Sequence, residues 1–295
     1  MTVHAIKKNL PWWVKVGAKL VISRFPARYG FWQKIGLFRH GYMDVHEYSL
    51  NIFNEHVTKS NFSASMEGKA ILELGPGDSI ATALIAKSCG AKSILVDVGR
   101  FAVEDLNFYR DFARVLNERG LSFPALKNVT SFTQILNFCE ARYLTEGLSS
   151  LRAIEDQSVD LVFSQAVLEH VRKHEFLEIQ RQLARILKPG GVCSHRVDLR
   201  DHLGGALNNL RFSEKLWESR FFADSGFYTN RLQMKNMLAL FESAGFEVDV
   251  VDIRRWQALP TPRAKMDALF ADLPEECLNI TGFDVLLRKP YANVS

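Results

Sequence analysis

The 295-residue chain has only four cysteines, Cys89, Cys139, Cys193 and Cys277, and no two of them form a Cys-x-x-Cys pair. Scattered thiols of this kind argue against a disulfide framework or a structural zinc and fit a reduced, cytoplasmic setting. No run of 18 uncharged apolar residues occurs, so no stretch reads as a membrane span. Internal repeats and low-complexity tracts are absent as well. Acidic residues are missing from the first 43 positions, which hold eight Lys or Arg, and this leaves 29 basic against 33 acidic residues in the remainder. The net charge of +4 therefore belongs to an amino-terminal arm. With 47% hydrophobic residues, the rest has ample material for one large α/β domain.

Within the arm, LPWWVKVGAKLVISRF (residues 10–25) sets Lys15, Lys19 and Ser23 on one helical face, in line with Lys8, and Trp12, Val16 and Leu20 on the other. Pro11 suits a first helical turn, and Pro26 ends the run. Lysines interrupt the apolar stretch and no small-residue cleavage site follows, so a secretory signal is not expected. Such a basic, Trp-bearing helix suits either a lid or peripheral contact with the inner face of a membrane. A helix from about Asp44 to Val57 follows, in a stretch where Arg39, His40, Tyr42, His46 and Tyr48 mix aromatic and polar character. Residues 1–60 are thus expected to be an arm with capping helices, and 61–295 the main domain.

The organising stretch is AILELGPGDSIATALIAKSCGAKSILVDVG, residues 70–99. Ala70 to Leu74 reads as a buried strand, Gly75 and Gly77 as a tight turn open to a ligand, and Ile80 to Ser88 as a helix with Ser79 at its cap and Gly90 past its end. Ser93 to Val98 reads as a second strand, carrying Asp97. In this βαβ unit the acid lies 22 residues after Gly75, where a carboxylate can meet ribose hydroxyls. A dinucleotide is disfavoured. Ile80 occupies the third glycine position, and Glu73 and Asp78 would face a pyrophosphate, at about 4 kcal/mol per unit pair at 4 Å and an effective dielectric near 20. A cationic, phosphate-free nucleoside such as S-adenosylmethionine suits Glu73 instead.

ELGPGDS followed by LVDVG resembles the first two motifs of class I S-adenosylmethionine-dependent methyltransferases, with Ser79 where the usual third glycine stands. SVDLVFSQAVLEHV (158–171) and LKPGG leading into a strand (187–191) resemble later segments of that family, and the likeness runs from about Gly68 to Pro290. It implies a Rossmann-like, seven-stranded mixed sheet with the last strand antiparallel, helices on both faces, and S-adenosylmethionine as cofactor. It also implies a strand near Ala141 to Leu144 and, just after it, an acid facing adenine, a role carried to Glu146. The fourth strand is expected to yield to a helix near Gln165, leaving Ser164 and Gln165 at the carboxyl edge with the cofactor, where ligands bind in open α/β sheets.

Some relatives hold a divalent metal through Glu-x-x-Glu-His here. This chain offers Gln165, Glu169 and His170, and the amide weakens that case, so no metal is expected. SHRVDLRDHLGG brings His195 and His202 to the end of the fifth strand, where an acceptor hydroxyl would meet the methyl group. His195 is expected to be the general base, with His202 second. The aromatic- and arginine-rich connection 204–229 is longer than a plain strand-to-helix link and is expected to cap the acceptor. Asn230 to Ala244 reads as a helix, Phe246 to Ile253 as the sixth strand and Ile280 to Arg288 as the seventh.

The acceptor is expected to be a small molecule, a sugar or a lipid-linked group, methylated at oxygen. A nucleic-acid substrate is disfavoured by SQAV, which stands where base-methylating enzymes carry Asn/Asp-Pro-Pro-Tyr. A non-catalytic nucleoside-binding protein is disfavoured by the intact Gly75, Gly77 and Asp97.

Overall fold

The computed structural model describes residues 42–62 and 66–291, together with Trp13, Val14 and Gly17 of the arm. Those three arm residues are helical and Trp13 is 63% exposed, while the rest of the expected arm helix lies outside the described residues.

One seven-stranded sheet runs in the order β3-β2-β1-β4-β5-β7-β6. Its strands are β1 Ala70–Leu74, β2 Lys92–Val96, β3 Ala141–Leu144, β4 Val159–Gln165, β5 Leu187–Asp198, β6 Glu247–Arg255 and β7 Ile280–Arg288. β1 to β5 pair in parallel, and β7 lies antiparallel between β5 and β6. This is the Rossmann-like mixed sheet expected, with its last strand reversed.

Two apolar layers sandwich the sheet, and strand alternation assigns each residue to one of them. On one face lie Ile71, Leu95, Leu161 and Phe163, under α1 (His46–Lys59), α2 (Ala81–Ser88), α3 (Leu106–Glu118) and α4 (Phe132–Phe138). On the other lie Leu72, Val96, Val162 and Cys193, under α5 (Leu148–Arg152), α6 (Phe176–Ile186) and α9 (Met234–Ser243). α1 buries Leu50, Ile52 and Phe53 in the same core as β1, so this helix is a layer of the domain.

Two local devices align the strands. The buried Asp160 carboxylate accepts from the Ala70 amide at 3.0 Å and from Lys188 Nζ at 2.6 Å, tying the starts of β1, β4 and β5 together. Near the other end of β5, Asp284 of β7 takes Arg196 at 3.0 Å, Lys59 of α1 at 2.6 Å and Arg254 of β6 at 2.7 Å. These three cations hold the Asp284 carboxyl well below the usual range against the opposing effect of burial.

Several elements match their expected bounds, while β5 starts five residues earlier because the LKPGG stretch already pairs with its neighbours. The connection after β5 folds as short helical pieces, a 3-10 turn at Asn208–Arg211, α7 (Glu214–Trp217) and α8 (Arg220–Ala223). It has its own core of Leu203, Trp217, Phe222, Phe227 and Tyr228. Between β6 and β7 lie a 3-10 turn (Arg263–Lys265), α10 (Ala268–Ala271) and α11 (Glu275–Leu278). Among the described residues no helix is long and apolar enough to cross a membrane.

Candidate active site

The carboxyl ends of β1 and β2 meet at the glycine turn. Gly75 and Gly77 both adopt left-handed backbone, with φ of +73° and +62°. A side chain on Gly75 would clash, because its Cβ would fall 2.5 Å from Val167 Cγ2. The turn is closed from the side of β2, where Gly77 N–H donates to Asp97 Oδ2 at 3.1 Å and Val98 N–H donates to Oδ1 at 2.7 Å. Ser79 Oγ accepts from the Ala81 amide and donates to the Met43 carbonyl ahead of α1, while the N-cap of α2 is Ile80, one residue later than expected.

The acids around this turn are electrostatically loaded. Glu73 is 1% exposed, and burial pushes its carboxyl up to about 8, with the neighbouring Thr82 hydroxyl opposing the rise and Asp97 adding to it. One of its oxygens, Oε2, has no hydrogen-bond partner among the described residues. Burial also pushes Asp97 up to about 6, against the pull of the Val98 and Gly77 amides and helped by nearby Asp78. Asp78 is fully buried, and its carbonyl accepts from Val103 N–H. A buried, incompletely satisfied carboxyl beside two more acids suits a ligand that brings positive charge and hydroxyl donors.

Past β3, Gly147 N–H donates to the Asp97 carbonyl at 2.8 Å, which brings the loop bearing exposed Glu146 alongside Asp97. Val98 is 78% exposed on the same rim and beside Gly147, leaving an apolar shelf that the sequence did not single out. Glu73, Gly75, Gly77, Asp78, Asp97 and Glu146 thus gather around the ends of β1, β2 and β3.

Gln165 and Ser164 part company. Gln165 is the last residue of β4, and the helix expected there does not form, because Ala166 turns the chain with φ of +53° and only a 3-10 turn, Leu168–His170, follows. The Gln165 amide faces α1, its Oε1 lying 3.3 Å from His56 Nε2. Ser164, one residue earlier, points through the opposite face, is fully buried, and is bonded to His195 Nδ1 at 2.7 Å. Ser164 is therefore removed from the cofactor-facing set by the two-residue alternation of the strand.

His195 is corrected for the same reason. It is 1% exposed on the α9 side of β5, stacked near Phe241, and burial, helped by nearby His56, lowers its imidazole to about 3. A neutral ring enclosed by the helical layer has no path to an acceptor hydroxyl. The imidazole missed by the sequence reading is His56 of α1, bonded to Ser194 Oγ at 2.8 Å on the opposite face and lowered to about 4, chiefly by burial. Its signal was available, since His56 falls on the apolar stripe with Ile52 and Phe53.

His202 lies at the start of the cap, edge-on to the His170 ring with 4.6 Å between centroids. Beside them Glu169 is 1% exposed, and burial drives its carboxyl well above the usual range, with Asp198 adding to the effect and the facing amides of Glu169 and Asp198 opposing it. It lines a small cleft with Asp198, Asn209, Thr229 and Arg231 under the cap.

Residues 72–194 match the profile of a family described as a methyltransferase domain. No curated protein matches the sequence significantly. Solved structures with a similar arrangement include a SAM-dependent methyltransferase of Methanosarcina mazei, 18% identical over 79% of this chain and 97% of that one, with a TM-score of 0.47. Others are phosphoethanolamine N-methyltransferase 2 of Haemonchus contortus in complex with S-adenosyl-L-methionine (16%, 80% and 52%, 0.44) and an arsenic(III) S-adenosylmethionine methyltransferase of Chlamydomonas reinhardtii (17%, 79% and 67%, 0.44).

Proposed function

We propose that this protein is an S-adenosylmethionine-dependent methyltransferase that methylates an oxygen of a small-molecule, sugar or lipid-linked acceptor, a reading supported by the match of residues 72–194 to a methyltransferase-domain profile. The observation that carries the reading is the acid-lined turn, in which buried Glu73 stands beside two left-handed glycines and Asp97 closes the far side. When bound, the cofactor supplies a methyl group on a sulfonium, which is already a good leaving group.

The residues present fit that group. Glu73 would set the turn and draw the ammonium, Gly75 and Gly77 would admit the ligand to the backbone, and Asp97 would take the ribose hydroxyls. Glu146 would face adenine from the rim that Val98 floors. Asp78 would add negative potential at the turn, and Gln165 would border the acceptor from the end of β4. Catalysis is then mostly alignment, with the acceptor atom held about 3 Å from the methyl carbon. Neither His195 nor any other imidazole is needed to activate the leaving group. The slight acidic excess of the chain beyond residue 43 and the SQAV segment support a substrate other than nucleic acid. The eight basic residues of positions 1–43 and the exposed Trp13 support peripheral contact with an anionic membrane, tested by liposome sedimentation at low and high salt with and without that arm.

Calorimetry tests the central reading. The protein should bind S-adenosylhomocysteine and S-adenosylmethionine but not NAD, and equal or tighter NAD binding would overturn it.

A further inference from the structure

The cleft beneath the cap is lined by polar atoms that the fold itself does not pair. Asn209 is 3% exposed, and its amide is oriented by Nδ2 donating to Thr229 Oγ1 at 2.9 Å, yet its Oδ1 has no hydrogen bond among the described residues. Arg231 is equally enclosed. Its Nη1 donates to the Phe212 carbonyl at 2.6 Å and its Nη2 to Glu214, while its Nε–H finds no acceptor among the described residues. Neither oxygen of buried Glu169 has a hydrogen bond of ordinary geometry there either. Three chain segments thus bring unpaired polar groups to one cleft, and a ligand that pairs them removes the cost of their burial.

The charges around the cleft are already balanced. Arg231 is paired with Glu214 and stacked 4.9 Å from the Phe270 ring centroid, and Asp198 holds Arg200 at 2.7 Å. Burial favours the neutral, proton-bearing form of the Glu169 carboxyl. An anionic ligand would meet Glu169 and Asp198, and a cationic one would meet Arg231. Hydroxyl groups meet neither objection, because each both donates, as Asn209 Oδ1 requires, and accepts, as Arg231 Nε–H requires. Leu199, Leu207, Leu210 and Leu278 complete the lining with the apolar surface that a carbon skeleton covers.

We propose that this cleft docks the acceptor by a neutral, polyhydroxylated end, a sugar or polyol whose hydroxyls pair with Asn209, Arg231 and Glu169. The proposal rests on the methyltransferase reading and narrows its acceptor class. The cleft is small, so it takes one end of the molecule and leaves the remainder outside. Its lining includes Asp198, where β5 ends, and Ile280, where β7 begins, and Glu169 stands two residues beyond Val167, which covers Gly75. The acceptor cleft and the methyl-donor turn therefore share one edge of the sheet.

The test uses the full chain loaded with S-adenosylhomocysteine. Methyl glycosides of the common hexoses and myo-inositol are screened by saturation-transfer NMR, beside the same glycosides with every hydroxyl methylated. The expected result is binding of at least one free polyol and none of the fully methylated forms, weakened at least about tenfold in Asn209→Ala and in Arg231→Lys. Thermal melts confirm that each variant is folded, and Glu169→Gln is the third variant should Arg231→Lys fail. Octyl glycosides below their micelle concentration separate the sources, since tighter binding than the methyl forms marks a lipid-linked sugar and equal binding a free one. Absence of binding by every probe, or parental affinity in the folded variants, would overturn the proposal. S-adenosylhomocysteine affinity is measured on the same samples. Its loss in the parent chain would overturn the methyltransferase reading, whereas its retention without polyol binding would overturn this proposal alone.

Discussion

Gly75 and Val167 oppose each other across the carboxyl edge of the sheet, so closely that a Cβ on the glycine would lie 2.5 Å from Val167 Cγ2. Gly75→Ala must therefore both adopt a left-handed backbone, at about 1 to 2 kcal/mol, and push Val167 away. We predict at least a tenfold loss of S-adenosylhomocysteine affinity, together with a lower melting temperature. Val167→Ala should relieve the clash but leave the backbone strain, so the double variant should recover part of the lost affinity. A double-mutant cycle by calorimetry reads the coupling, and strictly additive effects would deny the contact a role.

Asp97 closes the turn and is the expected ribose partner. Its removal in Asp97→Ala should weaken S-adenosylhomocysteine binding by about 1.5 to 3 kcal/mol, the range for hydrogen bonds to a charged group. Unchanged affinity in a folded variant would place the ribose partner elsewhere.

Glu73 couples the same site to pH. Burial raises its folded-state carboxyl to about 8, against an ordinary value near 4.5, so the folded protein binds more protons than the unfolded chain between those values. Stability from this group is therefore fully present below about pH 4.5 and is lost as pH rises toward 8. A cationic ligand favours the ionised form, so binding should release a proton and tighten as pH rises from 6 to 8. Glu73→Gln should flatten both trends, read from thermal melts and from calorimetry in buffers of different ionisation heat. An unaltered pH dependence in that variant would assign the proton to another group.

At the end of β5, Asp284 gathers Arg196, Lys59 and Arg254, and its carboxyl is held well below the usual range. Asp284→Asn strands three cations around a 3% exposed position, and breaking such a buried arrangement costs about 3 to 5 kcal/mol. The stabilisation is present above the ordinary carboxylate range and is lost only as pH falls toward the depressed value, so wild type and variant should converge in strong acid. Urea unfolding at pH 7 and at a series of acid pH values carried down past the depressed value checks both statements.

His195→Ala separates a packing role from a chemical one. Removing the ring leaves a void beside Phe241 and orphans Ser164 Oγ, which should lower stability by about 2 to 4 kcal/mol. S-adenosylhomocysteine affinity of the folded fraction should stay within a few fold. A variant of normal stability would contradict the buried placement.

These residues also mark how far the sequence could be read. The turn from Glu73 to Ser79 and the strands at Ala141–Leu144 and Ile280–Arg288 were legible because glycines and apolar runs encode them locally. The break at Ala166 was not, since alanine gives no sign of a left-handed turn, and a helix was the natural expectation. Alternation along β5 put Ser194 and His195 on opposite faces, yet which face α9 would cover depends on a helix some 40 residues later. The convergence of His202 with Glu169 and His170 was equally hidden, being set by how the cap folds back.

The position of β7 has a consequence for biosynthesis. Among the described residues this strand is the sole partner of β6 in the sheet and flanks β5 on its open side, so the sheet cannot be completed until residues 280–288 emerge. Until then a nascent chain exposes the unpaired edge of β5, the kind of template that invites aggregation, and β6 has nothing to pair with. A stop codon or protease cut ahead of residue 280 would thus remove two strands from the sheet while deleting the residues of one, and would also take away the Asp284 anchor of α1.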